Sequence, residues 1–242
     1  MKRSSLVAAA LFIVSTGMCA EPASDAPRRP NIILIISDDH GFPDYGFMGN
    51  TEVSTPNLDR MASEALLYTR GYVMPVCSPS LASILTGLYP SAHGITGNNL
   101  KGRPMSLLAK RVAANPVLLP QALSAAGYRT MQTGKLWYQG YEEAGFTDGM
   151  TESGGRHGGA GLSIGREGLQ PIFDFIEDSV AADRPFFVWY APLLPHTPHD
   201  PPPELLAKYL GKGCSAPAAA AGVRPEMRRR WKTACLLSSF TT

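Results

Sequence analysis

Asn31 to Ser37 is an unbroken, largely β-branched apolar run that stops abruptly at the acidic pair Asp38-Asp39. A strand without a polar face has no side to offer to water, so the run predicts a strand of a parallel sheet buried on both faces. Comparable signals recur downstream. Thr55-Pro56 predicts a helix entry, with a capping hydroxyl and proline at the first helical position, and Leu58, Met61, Ala62 and Ala65 as its apolar face. Leu66 to Val73 predicts a strand, and Pro79 a helix start that leaves Cys77 just ahead of a helix N-terminus, where free N–H groups favour an anion. Leu118 to Ala126, stopped by Gly127, and Leu169 to Val180, with Ile172, Phe173, Ile176 and Val180 on one side, predict helices; Tyr128 to Thr133 and Phe186 to Ala191 predict strands. Such alternation specifies an α/β fold with a mostly parallel sheet flanked by helices, in which ligands gather beyond the C-terminal ends of the strands.

The chain is long enough at 242 residues for one sizeable domain, and an apolar share of 44% excludes wholesale disorder. Met1 to Ala20 reads as a secretory signal: Lys2 and Arg3 form its positive end, Leu6 to Val14 its apolar stretch, and cleavage would follow Ala20. That stretch is shorter than the roughly 20 residues that span a bilayer, so no membrane span is expected after its removal, and the location implied is secreted or periplasmic. Residues 21–29 form a linker rich in Pro and Arg. From Lys212 the character changes to Ala-Pro-Ala repeats followed by Arg228-Arg229-Arg230-Trp231. Residues 212–242 read either as a disordered basic tail or as out-of-frame translation of a GC-rich gene, the second being favoured because the break falls inside the amphipathic segment that starts at Pro203. The formal charge of +2 comes from the two ends, and residues 21–211 alone carry −5, which argues against a nucleic-acid partner. Gly154 to Gly168 reads as a connecting loop. Cys19 leaves with the signal, and Cys214 and Cys235 are free to form a bridge.

Several residues carry chemistry where these strands end. Adjacent carboxylates at Asp38 and Asp39 offer the hard oxygen donors that Ca2+ or Mg2+ prefers, although a turn with a helix cap is the plainer use of such a pair. Cys77 opens the run Cys77-Ser78-Pro79-Ser80-Leu81-Ala82-Ser83-Ile84-Leu85-Thr86-Gly87, Lys135 follows a strand in Gln132-Thr133-Gly134-Lys135-Leu136-Trp137, and His196 follows another in Pro195-His196-Thr197-Pro198-His199. A lysine in isolation is ordinarily a solvated surface residue and a free cysteine a small buried hydrophobe. His40 and His93 read as loop or packing residues and His199 as a rim residue.

The Cys77 run resembles the sulfatase signature C-x-P-S-R-x-x-x-x-T-G at every position but one, with Leu81 standing for the arginine. The resemblance covers about Pro30 to Leu210, so that residues 30–211 look like the N-terminal α/β domain of a sulfatase, truncated, with an alkaline-phosphatase-like sheet that is incomplete. It implies that Cys77 is the precursor of formylglycine, an aldehyde whose hydrate is the oxygen nucleophile, and that a formylglycine-generating or sulfatase-maturing enzyme acts on it. It implies that Asp38, Asp39 and residue 77 hold Ca2+ or Mg2+, that Lys135 neutralises a sulfate oxygen, and that His196 contacts the sulfate and assists the departing oxygen. The substrate implied is a sulfated small molecule or polysaccharide. Trp137 stands near the position where the family has a histidine, and the later acidic and amide ligand pair has no counterpart in this sequence. Two alternatives stay open: a catalytically inactive secreted relative that binds anionic sugars, and a phosphatase or phosphodiesterase of the same superfamily, which would usually place Ser or Thr at position 77.

Overall fold

The computed structural model describes residues 29–98, 117–136, 140–152, 159–197 and 201–210. Its centre is a four-stranded, wholly parallel sheet of β1 (Ile32–Ile35), β2 (Arg129–Gly134), β3 (Asp148–Gly149) and β4 (Phe186–Ala191), in the order β1-β4-β2-β3. The helices are α1 (Pro56–Glu64), α2 (Cys77–Thr86), α3 (Pro90–His93), α4 (Leu119–Ala125), α5 (Tyr141–Ala144), α6 (Gln170–Ala181) and α7 (Pro203–Leu210). Most predicted elements fall within a residue or two of these bounds. Cys214 and Cys235, which the sequence leaves free to form a bridge, the tail, His199 and Trp137 lie outside the described residues.

Alternation along β4 sorts the core into two layers. Phe187, Trp189 and Ala191 point to one face and pack with Leu81, Ala82 and Leu85 of α2 and with Ile95 and Leu118. Phe186, Val188 and Tyr190 point to the other and pack with Ile172 and Phe175 of α6. A central strand covered on both faces is therefore apolar throughout, and every residue of β4 is buried.

β1 departs from its prediction. Its Ile32 and Leu34 pack against the α2 layer, but Ile33 and Ile35 remain 51% and 43% exposed. In the parallel register Ile33 sits beside Val188 and Ile35 beside Tyr190. Both neighbours are covered by α6, which packs on β2 and β4 and stops short of β1. Each uncovered isoleucine forgoes much of the roughly 1.5–3 kcal/mol that full burial contributes. The predicted strand at Leu66 to Val73 is also corrected: the segment is irregular, with Leu66, Tyr68, Tyr72 and Val73 exposed. β-branched and aromatic residues record a fit to a pleated surface rather than an intrinsic backbone preference, and without a strand beside them they do not become one.

Local chemistry differs from expectation at two helix starts. Thr55 does not cap α1 through its side chain; its hydroxyl donates to Asp59 Oδ1 at 2.7 Å and accepts from the Gly46 N–H at 2.8 Å. Cys77 is the first residue of α2 rather than its forerunner, Val76 being the N-cap.

His93 closes α3 as a buried strut. The Ile95 N–H donates to Nδ1 at 3.1 Å, so Nδ1 carries no proton and Nε2–H faces Ser83 Oγ at 3.1 Å. Burial holds its pKa below the ordinary 6.5, and burial likewise drives His40 down to about 4 against the opposing pull of Asp44. The unfolded chain then binds more protons than the folded one below pH 6.5. Stability contributed by these rings is complete above that value and is lost as pH falls toward the lowered folded values. Urea unfolding of the protein from neutral to mildly acid pH is expected to show a falling midpoint, and His93→Gln to flatten part of the fall while leaving the share due to His40. An equal slope in the variant would remove His93 from this account.

Candidate active site

The site lies where β1 and β2 end and α2 begins. One cavity of about 450 Å³ is lined by Asp38, Asp39 and His40 after β1, by Cys77, Ser80, Leu81 and Ile84 on α2, and by Lys135 after β2. Asp38, Asp39, Cys77 and Lys135 are thus brought together from three separate elements.

Backbone pairing that continues past the strands holds the two buried charges in place. The Ile36 N–H donates to Tyr190 O at 2.9 Å and the Asp38 N–H to Leu194 O at 2.8 Å, which carries the β1 line along the β4 exit. On the other side of β4 the Lys135 N–H donates to Ala191 O at 2.6 Å, and Lys135 O accepts from the Trp189 indole at 3.1 Å. Gly134 makes this possible. Its φ is +72°, and a Cβ there would collide with the Ala191 carbonyl oxygen, so only glycine lets the chain turn against β4 and deliver Lys135.

Between the two strand ends, Lys135 Nζ donates to Asp38 Oδ2 at 2.7 Å, both side chains being almost wholly buried. The lysine is therefore no surface residue. An ion pair in such a place matters less for net stability than for what its rupture leaves behind, an uncompensated buried charge. Asp39 differs: its φ is +61°, its side chain is half-exposed, and its Oδ2 lies 3.9 Å from His196 Nε2. His196 Nδ1 is 2.8 Å from Thr197 O and so donates to it, which turns Nε2 toward Asp39. His196 adjoins the site through Asp39 and does not line the cavity wall named above.

The carboxylates suit a hard divalent cation in donor chemistry and charge, with Asp39 accessible and Asp38 reachable once its lysine partner shifts. Among the described residues no third His, Cys, Asp or Glu joins them in a cluster able to hold a metal. Calcium takes roughly 6 to 8 oxygen ligands, so the aspartates would furnish only part of a shell.

Leu81 turns inward. It is 4% exposed and packs in the α2 core while touching the cavity wall, so the position where the signature calls for arginine carries no charge. A residue the sequence did not single out also reaches the site: Asn98 Oδ1 accepts from the Ser78 N–H at 3.0 Å and lies 3.4 Å from Cys77 Sγ. It stands 20 residues from Ser78 outside any recognisable pattern, and nothing in the sequence flagged it. His40 borders the cavity with neither ring nitrogen hydrogen-bonded among the described residues, its ring centroid 3.9 Å from that of Tyr45 at a tilt of 50°.

A family model described as Sulfatase matches residues 30–225, most of the chain, and the protein belongs to the sulfatase family. The N-acetylgalactosamine-6-sulfatase of Canis lupus familiaris is 32% identical over 219 residues, covering 73% of this chain and 41% of that protein. The human protein of the same name is 42% identical over 123 residues, covering 49% of this chain and 23% of its own length. The chain thus spans less than half the length of these curated relatives. In architecture, the PsFucS1 sulfatase from Pseudoalteromonas sp. superposes with a TM-score of 0.59 at 22% identity, over 87% of this chain and 50% of that one. The fold is the parallel, helix-flanked sheet shared with that sulfatase.

Two variants probe the construction of the site. Lys135→Met is expected to destabilise the fold by about 3–5 kcal/mol by leaving Asp38 charged and buried, and Asp38→Asn in the same chain to recover much of that loss. Chemical denaturation of both single variants and the double variant measures the coupling; additive losses would deny that the two charges depend on one another. Gly134→Ala is expected to cost at least about 1–3 kcal/mol through the combined strain of its positive φ and the contact with Ala191 O. A variant as stable as the parent would contradict this.

Proposed function

We propose that this protein is an exported sulfatase that hydrolyses sulfate esters, with residue 77 as nucleophile after conversion of Cys77 to formylglycine. The observation that carries the reading is the shared cavity of Asp38, Asp39, Cys77 and Lys135, in a chain of the sulfatase family. Export, to a secreted or periplasmic location, rests on the residues of Met1 to Ala20. Among the described residues no helix is long and apolar enough to cross a membrane.

The chain's residues divide the work by charge. Lys135 presents an ammonium to the cavity from a rigid strand end and is the group suited to neutralise a sulfate oxygen. Cys77, at the first turn of α2, faces that cavity from the positive end of the helix, which also favours an anion. His196 is placed beside Asp39 at the mouth of the site, where its imidazole is the group suited to give a proton to the departing alkoxide. Asp38 and Asp39 would hold Ca2+ or Mg2+ together with residue 77. A bound cation supplies Lewis-acid polarisation of a sulfate oxygen and lowers the cost of ionising a hydroxyl. Formylglycine supplies, as its hydrate, an oxygen nucleophile for attack on sulfur.

For substrate, the name of the matched relatives, N-acetylgalactosamine-6-sulfatase, supports a sulfate ester on an amino sugar, free or within a polysaccharide. One observation favours a second reading, a non-catalytic relative that binds anionic sugars: Leu81 is packed into the core where the signature has its arginine. The partner on which the two readings divide is the formylglycine-generating or sulfatase-maturing enzyme.

Mass spectrometry of the Cys77 peptide, on protein made beside a maturing enzyme, is expected to show loss of the thiol in favour of the aldehyde. The same preparation is expected to turn over an aryl sulfate much faster than an aryl phosphate, and Cys77→Ala to fall to background. An intact thiol together with retained binding of a sulfated sugar would transfer the conclusion to the second reading; faster phosphate turnover would replace both with a phosphatase.

A further inference from the structure

We infer that Asn98 is a positioning residue that sets the direction of the side chain at position 77, an inference resting on the nucleophile reading of Cys77 above. Its carboxamide meets two atoms of the first turn of α2, the Ser78 N–H at 3.0 Å and Cys77 Sγ at 3.4 Å. A backbone N–H can only donate, so the amide atom facing it is the oxygen, which removes the usual ambiguity over which way an asparagine points. That oxygen has no proton to give. The sulfur therefore approaches it as an S–H donor, and the thiol is aimed by a neutral acceptor rather than left to rotate.

α2 depends on this contact because its own N-cap, Val76, has no side chain to cap the helix. The first N–H groups of a helix have no partner within it, and here one is satisfied by a residue beyond α3 instead of by the residue next door. The same atom thus ties the helix start to residue 77. Among the described residues, two other neighbours do not duplicate the role. Leu81 is apolar and buried, and the Ser80 hydroxyl bonds back to Val76 O at 2.9 Å and Met74 O at 3.1 Å. A hydroxyl replacing the thiol at residue 77 would meet the same acceptor, so that Asn98 would hold one oxygen and leave the other to face Asp38, Asp39 and Lys135.

The test uses the full chain made without a maturing enzyme, so that Cys77 stays a thiol, and follows its alkylation by iodoacetamide at neutral pH with peptide mass spectrometry to separate it from the other cysteines. Asn98→Ala removes the acceptor that engages the sulfur and frees the side chain to rotate toward the reagent, and is expected to speed alkylation about fivefold, the worth of one ordinary hydrogen bond. Asn98→Asp keeps an oxygen for the Ser78 N–H but sets a negative charge beside the sulfur, and is expected to slow alkylation by at least as much. Opposite signs are the signature, since mere loosening of the helix start would speed both. Changes of one sign, or none, overturn the inference. Should Asn98→Ala fail to fold, the nearly isosteric Asn98→Asp decides alone: slowing supports the inference, and an unchanged or faster rate overturns it. Failure of the function reading is seen separately. Opposite shifts in a protein whose Cys77 is never converted beside the maturing enzyme would keep Asn98 as the positioning residue and discard formylglycine, whereas conversion without opposite shifts discards Asn98 alone.

Discussion

The ion pair between Lys135 and Asp38 is the contact around which the rest of the site is arranged. Two opposite charges 2.7 Å apart in a nearly dry setting tolerate little movement, because separation would leave each without water or partner. Everything beside them is consistent with that demand: the β1 line continued to Leu194, the Lys135 backbone clasped at both ends to β4, and a glycine at position 134 where a side chain would strike Ala191. The pair also fixes the spacing of β1 and β2 across the intervening β4, so it joins strands that do not touch. A buried ammonium beside a carboxylate is at the same time a ready cation for whatever anion enters the cavity, so the structural and the proposed chemical roles of Lys135 arise from one placement.

Asymmetry of the sheet is the second organising fact. On the α2 side the apolar residues of β1 and β4 share one continuous core, whereas on the α6 side the cover ends at β4. β1 is consequently an edge strand with one packed and one open face, although its sequence is apolar throughout. Edge strands of this kind carry unpaired backbone groups and are natural places for another strand to add. The Asp38-Asp39 pair leaves from this edge, which gives Asp39 its exposure and Asp38 its burial only one residue away.

α2 combines a reactive end with a packed flank. Leu81, Ala82 and Leu85 anchor it against Phe187 and Trp189, while its first residues open into the cavity. With leucine where the family signature has arginine, that position packs in the core and offers the cavity an apolar surface. The polar contact made by the Cys77 sulfur is with Asn98, and it comes from outside the helix.

Much of this was legible in the residues alone. The β1 and β4 runs and the start of α6 follow from periodicity and helix punctuation, while the choice of Cys77 and Lys135 beside Asp38 came from the resemblance of their segments to those of sulfatases. The failures share a cause. Leu66 to Val73 has strand composition and no strand, and Ile33 and Ile35 are apolar and uncovered, because pairing and burial are properties of neighbours rather than of the segment itself. Asn98 was invisible for the same reason, its importance residing in a contact across 20 residues with no pattern to mark it. The sequence by itself determined which segments are able to pleat or coil and which residues could do chemistry, since these depend on local backbone preference and side-chain identity. Only the tertiary structure decided that Lys135 is buried against Asp38, that Asp39 is not, and that a distant amide aims the thiol, since charge pairing and solvent exclusion exist only once separate strands have been brought together.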